Sequence, residues 1–133
     1  MTRRSPYVEG HTHEGQEGVG RGIAPGSARY LFVYPFVKTH DWYQLPQTER
    51  LKMMSQHFEI GHKYPGVRIH TGYSFGVDEQ DHMLAFEADD PVEFLESVME
   101  LREAAARPYT VRDTPIFTCV RRTLRETLDS LGG

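Results

Sequence analysis

The order of strand and helix signals along residues 29–121 constrains the fold of this chain more than any other feature. Strands are indicated by alternating runs rich in β-branched and aromatic residues, and helices by capped segments with apolar residues three and four positions apart. The strand segments are 29–38, 67–75, 82–87 and 114–120, and the helices span about 46–63 and 90–107. The order β-α-β-β-α-β predicts an α+β fold. It is the ferredoxin-like split unit of the dimeric α/β-barrel type, with an antiparallel sheet covered by helices on one face.

Three segments are expected along the 133 residues of the chain. Residues 1–28 hold six of the twelve glycines and show almost no apolar periodicity, which predicts an extended or disordered leader. Residues 29–121 form the folded domain, and residues 122–133 form a short polar helix or tail. His11 and His13 in the leader give only a weak signal for a metal site.

Charge and composition exclude several classes of function. The net charge is −4 and the basic residues form no stripe, so nucleic-acid binding is not expected. No apolar stretch approaches the roughly 20 residues that span a bilayer, and the first residues lack the apolar core of a signal peptide. The cytoplasm is the expected compartment. Cys119 is the only cysteine, which excludes an internal disulfide, and we expect it to be a small buried residue of the last strand.

The helix at 46–63 carries the first candidate site residue. Helical spacing places His57 on one stripe with Met54, Phe58 and Gly61. Gly61 leaves a gap one turn after the histidine, where a flat group could approach. Such an inward histidine is either a hydrogen-bonded core residue or a ligand, and the glycine beside it favours an axial ligand to a porphyrin iron.

The strand at 67–75 carries the second candidate. Strand alternation puts His70, Gly72 and Ser74 on one face, and the bulkier side chains lie on the other. Small residues beside a histidine suggest a face that borders a ligand cavity. In the predicted fold, His57 from the helix layer and His70 from the sheet layer face one another across that cavity.

Six motifs resemble those of a known family. They are Tyr34-Pro35-Phe36-Val37-Lys38, Trp42-Tyr43-Gln44-Leu45-Pro46, Met54-Ser55-Gln56-His57, Tyr64-Pro65-Gly66-Val67, Tyr73-Ser74-Phe75-Gly76 and Arg112-Asp113-Thr114-Pro115-Ile116-Phe117. Together they resemble the chlorite dismutase-like superfamily, which includes the coproheme decarboxylases, over about residues 30–120. The resemblance implies that the cofactor or substrate is haem b or coproheme and that subunits assemble into homo-oligomeric rings.

The resemblance also implies roles for individual residues. His57 is the proximal iron ligand, Tyr34 is the redox tyrosine of the decarboxylases, and Lys38 lies near a porphyrin carboxylate. Gly61, Gly72 and Ser74 are expected to border the porphyrin because of the gap and the small strand face described above, not because of the resemblance. His70 stands on the distal side, where chlorite dismutases proper have an arginine, and a histidine there suits proton transfer to and from hydrogen peroxide.

The function implied is therefore the peroxide-dependent oxidative decarboxylation of coproheme to haem b. Two alternatives remain open: a chlorite dismutase or other haem peroxidase, and a truncated, non-catalytic member that binds porphyrin weakly or not at all. The last is favoured by Ala105, which occupies the position where the family has a glutamate that accepts a hydrogen bond from the proximal histidine. Glu103 lies two residues away and is expected on the wrong helix face. Members of the family usually carry another ferredoxin-like half before this region, in whose place we expect a short leader.

Overall fold

The computed structural model describes residues 26–132, which form one sheet and four helices. The strands are β1 (Tyr30–Lys38), β2 (Arg68–Tyr73), β3 (His82–Ala88), β4 (Thr110–Arg112) and β5 (Phe117–Val120). The α-helices are α1 (His40–Gln44), α2 (Gln47–His62), α3 (Pro91–Glu103) and α4 (Leu124–Ser130), and Arg107–Tyr109 is a 3-10 turn. The predicted element order is confirmed, with α1 and β4 as two short additions.

The sheet is antiparallel and has β1 at its centre. β1 pairs with β3, β3 pairs with β2, and the other edge of β1 is shared by β4 and β5. This order is that of the predicted ferredoxin-like unit, which confirms the fold class. The strand predicted over 114–120 is shorter, and the preceding strand β4 pairs with the end of β1, where the register shifts between Val37 and Lys38.

Large aromatic side chains form the core on one face of the sheet. Phe32 and Tyr34 of β1 and Phe86 of β3 are buried there, together with Phe94 of α3. The Phe32 and Phe94 rings are stacked with centroids 3.8 Å apart, and Phe86 lies 5.3 Å from Phe94. We call this the helix-covered face, and the opposite side of the sheet the open face.

α3 begins where the sequence predicts, but it ends earlier than predicted. The Asp90 carboxylate accepts a hydrogen bond from the Val92 backbone N–H, and Pro91 occupies the first turn, where it needs no hydrogen-bond partner. The helix ends at Glu103, whereas the sequence predicted that it continues to about residue 107. Ala105 consequently lies beyond the helix and is exposed.

The expected burial of Cys119 is wrong. Cys119 is exposed, because β5 is a short edge strand. Trp42 is buried because α1 turns it against Tyr109. Tyr43 is partly buried, and its hydroxyl donates to Asp81 over 2.7 Å.

Most of the predicted leader, including His11 and His13, lies outside the described residues. Its last residue, Ala28, is buried and so belongs with the folded domain. Among residues 26–132, no helix has the length and apolar character needed to cross a membrane.

Candidate functional site

Lys38 sits at the end of β1 with its side chain turned into the protein instead of toward solvent. Its ammonium group donates to the Ala106 carbonyl over 3.2 Å and lies 4.4 Å from the centre of the Trp42 ring. Burial, and to a lesser extent the nearby Arg107, lowers the pKa of Lys38 to about 8. The protein thus holds a positive charge in a place that disfavours it, as expected where an anionic group binds.

His57 of α2 lies close enough to Lys38 for the Lys38 charge to affect its pKa. Burial and the Lys38 ammonium together lower the pKa of His57 to about 4. Its imidazole is therefore neutral at physiological pH, which is the form that ligates metals. No residue within 26–132 hydrogen-bonds to either ring nitrogen, so a nitrogen lone pair is available.

Tyr34 is buried on the helix-covered face of β1, two residues before Phe36 and four before Lys38. Its ring stacks on Phe86 at 5.6 Å between centroids, and within residues 26–132 its hydroxyl has no hydrogen-bond partner. Burial and the Asp113 carboxylate raise the pKa of Tyr34 well above its ordinary value. The phenol therefore stays protonated across the physiological range.

A charged cluster that sequence reasoning missed lies beside Tyr34. Asp113 accepts a hydrogen bond from Arg107 over 2.5 Å and forms a longer ion pair with Arg102 at 3.6 Å. Both arginines partly offset the effect of Asp113 on the Tyr34 pKa. Asp113 belongs to one of the quoted motifs, but only the tertiary structure joins it to arginines on α3 and the 3-10 turn.

The residues of this side of the molecule fit an iron porphyrin. His57 offers a neutral nitrogen, and Lys38 offers a positive charge without a carboxylate partner among the described residues. Gly61, one turn after the histidine, is exposed, and a Cβ built there would meet nothing within 4 Å. Gly61 therefore borders open space, and a flat ligand with carboxylate substituents matches this set of groups.

The other three predicted site residues do not join this set. In the pairing of β2 with β3, Ile69 stands opposite Phe86 on the helix-covered face, so His70 and Gly72 point to the open face. The His70 ring lies 2.8 Å from the Glu87 carboxylate there. The prediction that His70 faces His57 is wrong, because the bulky face of β2 is the one that packs toward the helices.

Ser74 lies just beyond β2 and serves the hairpin. Its hydroxyl donates to the Gln80 carbonyl over 2.9 Å, and its backbone N–H donates to the Asp81 carbonyl. These contacts close the connection between β2 and β3. The structure thus gives Ser74 a role in the turn.

The surroundings of Ala105 bear on the expected acceptor for His57. The Ala105 backbone N–H donates to the side-chain oxygen of Gln56, the residue before the histidine. Glu103, expected on the wrong face, lines a polar groove of about 300 Å³ between α2 and α3, together with Gln56 and Glu59. Carboxylates therefore lie close to α2, although none within residues 26–132 bonds to the imidazole.

Comparison with known proteins gives one family. The family model described as chlorite dismutase matches residues 1–122. The chain is 36% identical over 110 residues to a coproheme decarboxylase of Mycolicibacterium smegmatis, an alignment that covers 83% of this chain and 47% of that protein.

Solved structures show the same relationship. A mutant chlorite dismutase from Candidatus Nitrospira defluvii superposes with a TM-score of 0.81 at 25% identity, over 99% of this chain and 56% of that one. A heme-binding protein from Thermus thermophilus has a TM-score of 0.73 at 28% identity, over 80% of this chain and 45% of that one. The chain spans about half the length of these relatives.

Proposed function

The chain belongs to the chlorite dismutase family, and on that premise we propose that it binds an iron porphyrin beside α2 and catalyses the peroxide-dependent decarboxylation of coproheme to haem b. The proposal rests on three groups: the neutral imidazole of His57, the half-buried ammonium group of Lys38 that acts on it, and the buried phenol of Tyr34 on the same strand as Lys38. The similarity to a coproheme decarboxylase favours this reaction over others in the family.

Each of the three side chains has a distinct task in this proposal. His57 presents its unprotonated nitrogen to the iron. Lys38, supported by Arg107, pairs with a carboxylate of the porphyrin and so fixes the rotation of the macrocycle. The ion pair raises the pKa of Lys38 toward its ordinary value, which relieves part of the cost of burying it.

The bound iron porphyrin would supply the centre at which hydrogen peroxide is reduced to water. Tyr34 is the relay between that centre and a propionate. After losing an electron and its phenolic proton, it removes a hydrogen atom from the propionate and becomes a phenol again. In total, each propionic acid side chain and one peroxide yield one vinyl group, one carbon dioxide and two waters. The raised pKa of Tyr34 suits this task, because the residue must enter the cycle as a protonated phenol.

His70 has no part in this proposal, since its ring lies on the open face beside Glu87. Proton transfer to peroxide is therefore left to a solvent molecule or to another part of the protein. This differs from the sequence-based expectation, in which the histidine acted on the distal side.

A second candidate function is porphyrin binding without catalysis. It is favoured because, within residues 26–132, the His57 side chain donates no hydrogen bond. Ligating histidines are usually oriented and made more basic by such a partner, and its loss typically costs about 10–100-fold in metal affinity or activity. Ala105 stands where the family resemblance implies that partner.

The test is a titration with ferric coproheme followed by hydrogen peroxide. The Soret band reports ligation, and mass spectrometry of the porphyrin reports loss of carbon dioxide. We expect a shifted band and stepwise loss for the wild type, no histidine-ligated band for His57→Ala, and binding without product for Tyr34→Phe. Matched controls are His62→Ala on the exposed end of α2 and Tyr30→Phe on the same face of β1.

The outcomes separate the two candidates. A shifted band with no product from the wild type would favour the binding protein, and normal product from Tyr34→Phe would remove that residue from the mechanism. An unchanged Soret spectrum on adding wild-type protein would refute porphyrin binding altogether.

A further inference from the structure

His82 is the first residue of β3 and lies on the helix-covered face of the sheet. It stands opposite Phe36 of β1 and Tyr73 of β2, and strand alternation places it on the same face as the buried Phe86. Three rings meet the imidazole at steep angles, with centroids 5.0 Å away for Tyr73, 4.9 Å for Phe75 and 6.4 Å for Phe36. A polar ring is thus surrounded by aromatic ones.

The Nδ1 atom of His82 is shielded from solvent and has no hydrogen-bond partner among residues 26–132. The neighbouring carboxylate is engaged elsewhere, since Asp81 accepts hydrogen bonds from the Lys38 backbone N–H and the Tyr43 hydroxyl. Two other buried side-chain nitrogens in this part of the chain lack partners, but both are Nε atoms of arginines, which have further donors. Leaving a buried polar atom unpaired costs free energy, and a ligand group that pairs with it recovers that cost.

The Lys38 side chain lies beside this imidazole. Its ammonium group is 5.2 Å from the centre of the Phe36 ring, which also borders His82. Burial lowers the pKa of His82, Asp81 raises it in part, and the Lys38 charge lowers it. The ring is therefore neutral at pH 7 and has one N–H, which either nitrogen can carry.

We propose that His82 is a second donor to the carboxylate that Lys38 binds, with Nδ1–H hydrogen-bonded to one oxygen while the ammonium group supplies the opposite charge. A carboxylate has about four acceptor positions on its two oxygens, so a single group can serve both donors. The lysine side chain is flexible and can follow the ligand, whereas the three rings around the imidazole hold it in place. His82 thereby determines where the carboxylate lies. This inference rests on the proposed porphyrin binding and adds a specificity-determining residue to that site.

Binding of metal-free coproporphyrin and of its tetramethyl ester tests the proposal, because the ester keeps the macrocycle but has no carboxylate. We expect His82→Leu to weaken coproporphyrin binding about tenfold or more, through loss of a hydrogen bond to a charged group, and to leave binding of the ester unchanged. His82→Asn should recover most of the affinity, since its amide N–H can replace Nδ1–H. His62→Leu, on the exposed end of α2, is the matched control and should bind both compounds as the wild type does.

The position of the imidazole proton gives a second readout, which a purely packing role would not change. Nitrogen-15 chemical shifts of the His82 ring report which nitrogen carries the proton. Metal-free coproporphyrin suits this measurement, because it avoids the line broadening that ferric iron causes. We expect the proton to lie on Nδ1 in the complex.

The outcomes separate this inference from the function on which it rests. No binding of coproporphyrin by the wild type would overturn both. Wild-type binding with equal affinity in His82→Leu, or a bound imidazole whose proton lies on Nε2, would overturn the role of His82 alone. Equal losses for coproporphyrin and its ester would also overturn that role, because they would show that His82 supports the packing of the site and not the carboxylate.

Discussion

The depressed pKa of Lys38 predicts how porphyrin affinity changes with pH. In the free protein the ammonium group titrates at about 8, against an ordinary value of 10.5. A carboxylate that pairs with the ammonium group in the complex returns the pKa toward the ordinary value, so binding takes up a proton wherever free Lys38 is deprotonated. Affinity for an anionic porphyrin should accordingly be highest below pH 8 and should fall as the pH rises through 8.

The size of the effect follows from the two pKa values. If binding restores the ordinary value completely, affinity falls about 30-fold between pH 7 and pH 9.5, and partial restoration gives proportionally less. Metal-free coproporphyrin is the best probe, because it has the carboxylates but no iron-bound water that titrates in the same range. Its fluorescence gives the dissociation constant at each pH.

Lys38→Met should bind more weakly at pH 7 and lose most of the pH dependence between 7 and 9.5. Lys52→Met is the control, because Lys52 is an exposed lysine of α2. An equally steep pH dependence in Lys38→Met would refute the assignment of Lys38 as the carboxylate partner. A flat wild-type profile would mean that no carboxylate reaches Lys38 in the complex.

Two further predictions concern the core and the acceptor for the proximal ligand. Phe94→Ala removes a ring that is stacked on Phe32 and in contact with Phe86. We expect the free energy of unfolding, measured by urea denaturation, to fall by about 3–5 kcal/mol. A loss below about 1 kcal/mol would contradict the place of Phe94 at the centre of the core. Ala105→Glu should supply a hydrogen-bond acceptor near α2, tighten the binding of ferric porphyrin about tenfold or more, and lower the reduction potential of the bound iron. In a His57→Ala background, Ala105→Glu should not tighten porphyrin binding.

The fold could be predicted from sequence because each element carries its own signal. The alternation in β1, the capping residues at the start of α3 and the hairpin between β2 and β3 are all local, and the order of elements then leaves few topologies. The additions, α1 and β4, are each five residues or shorter. Segments of that length are defined mainly by what they pack against or pair with.

The error over His70 shows where local patterns stop being informative. Alternation determines which residues of β2 share a face, but it does not determine which face meets the helices. The small side chains of the His70 face suggested a cavity. The deciding residue is Glu87 on the neighbouring strand, which is buried on the open face and bonds to the histidine. That pairing joins residues 17 positions apart and depends on the register of two strands.

The surviving site residues share a feature that the sequence does not reveal, which is that their charges are coupled. Burial is the larger cause of the low pKa of His57, and the charge of Lys38 is the second cause. The positive charge that attracts a carboxylate therefore also keeps the ligating imidazole free of a proton. Without that charge the pKa of His57 should rise, and an iron atom would have to displace a proton from the imidazole at acidic pH. Below about pH 6, Lys38→Met should therefore weaken binding of ferric coproheme more than binding of metal-free coproporphyrin, which does not need the imidazole. Equal losses for the two porphyrins at acidic pH would contradict the coupling, because they would mean that Lys38 acts on the carboxylate alone.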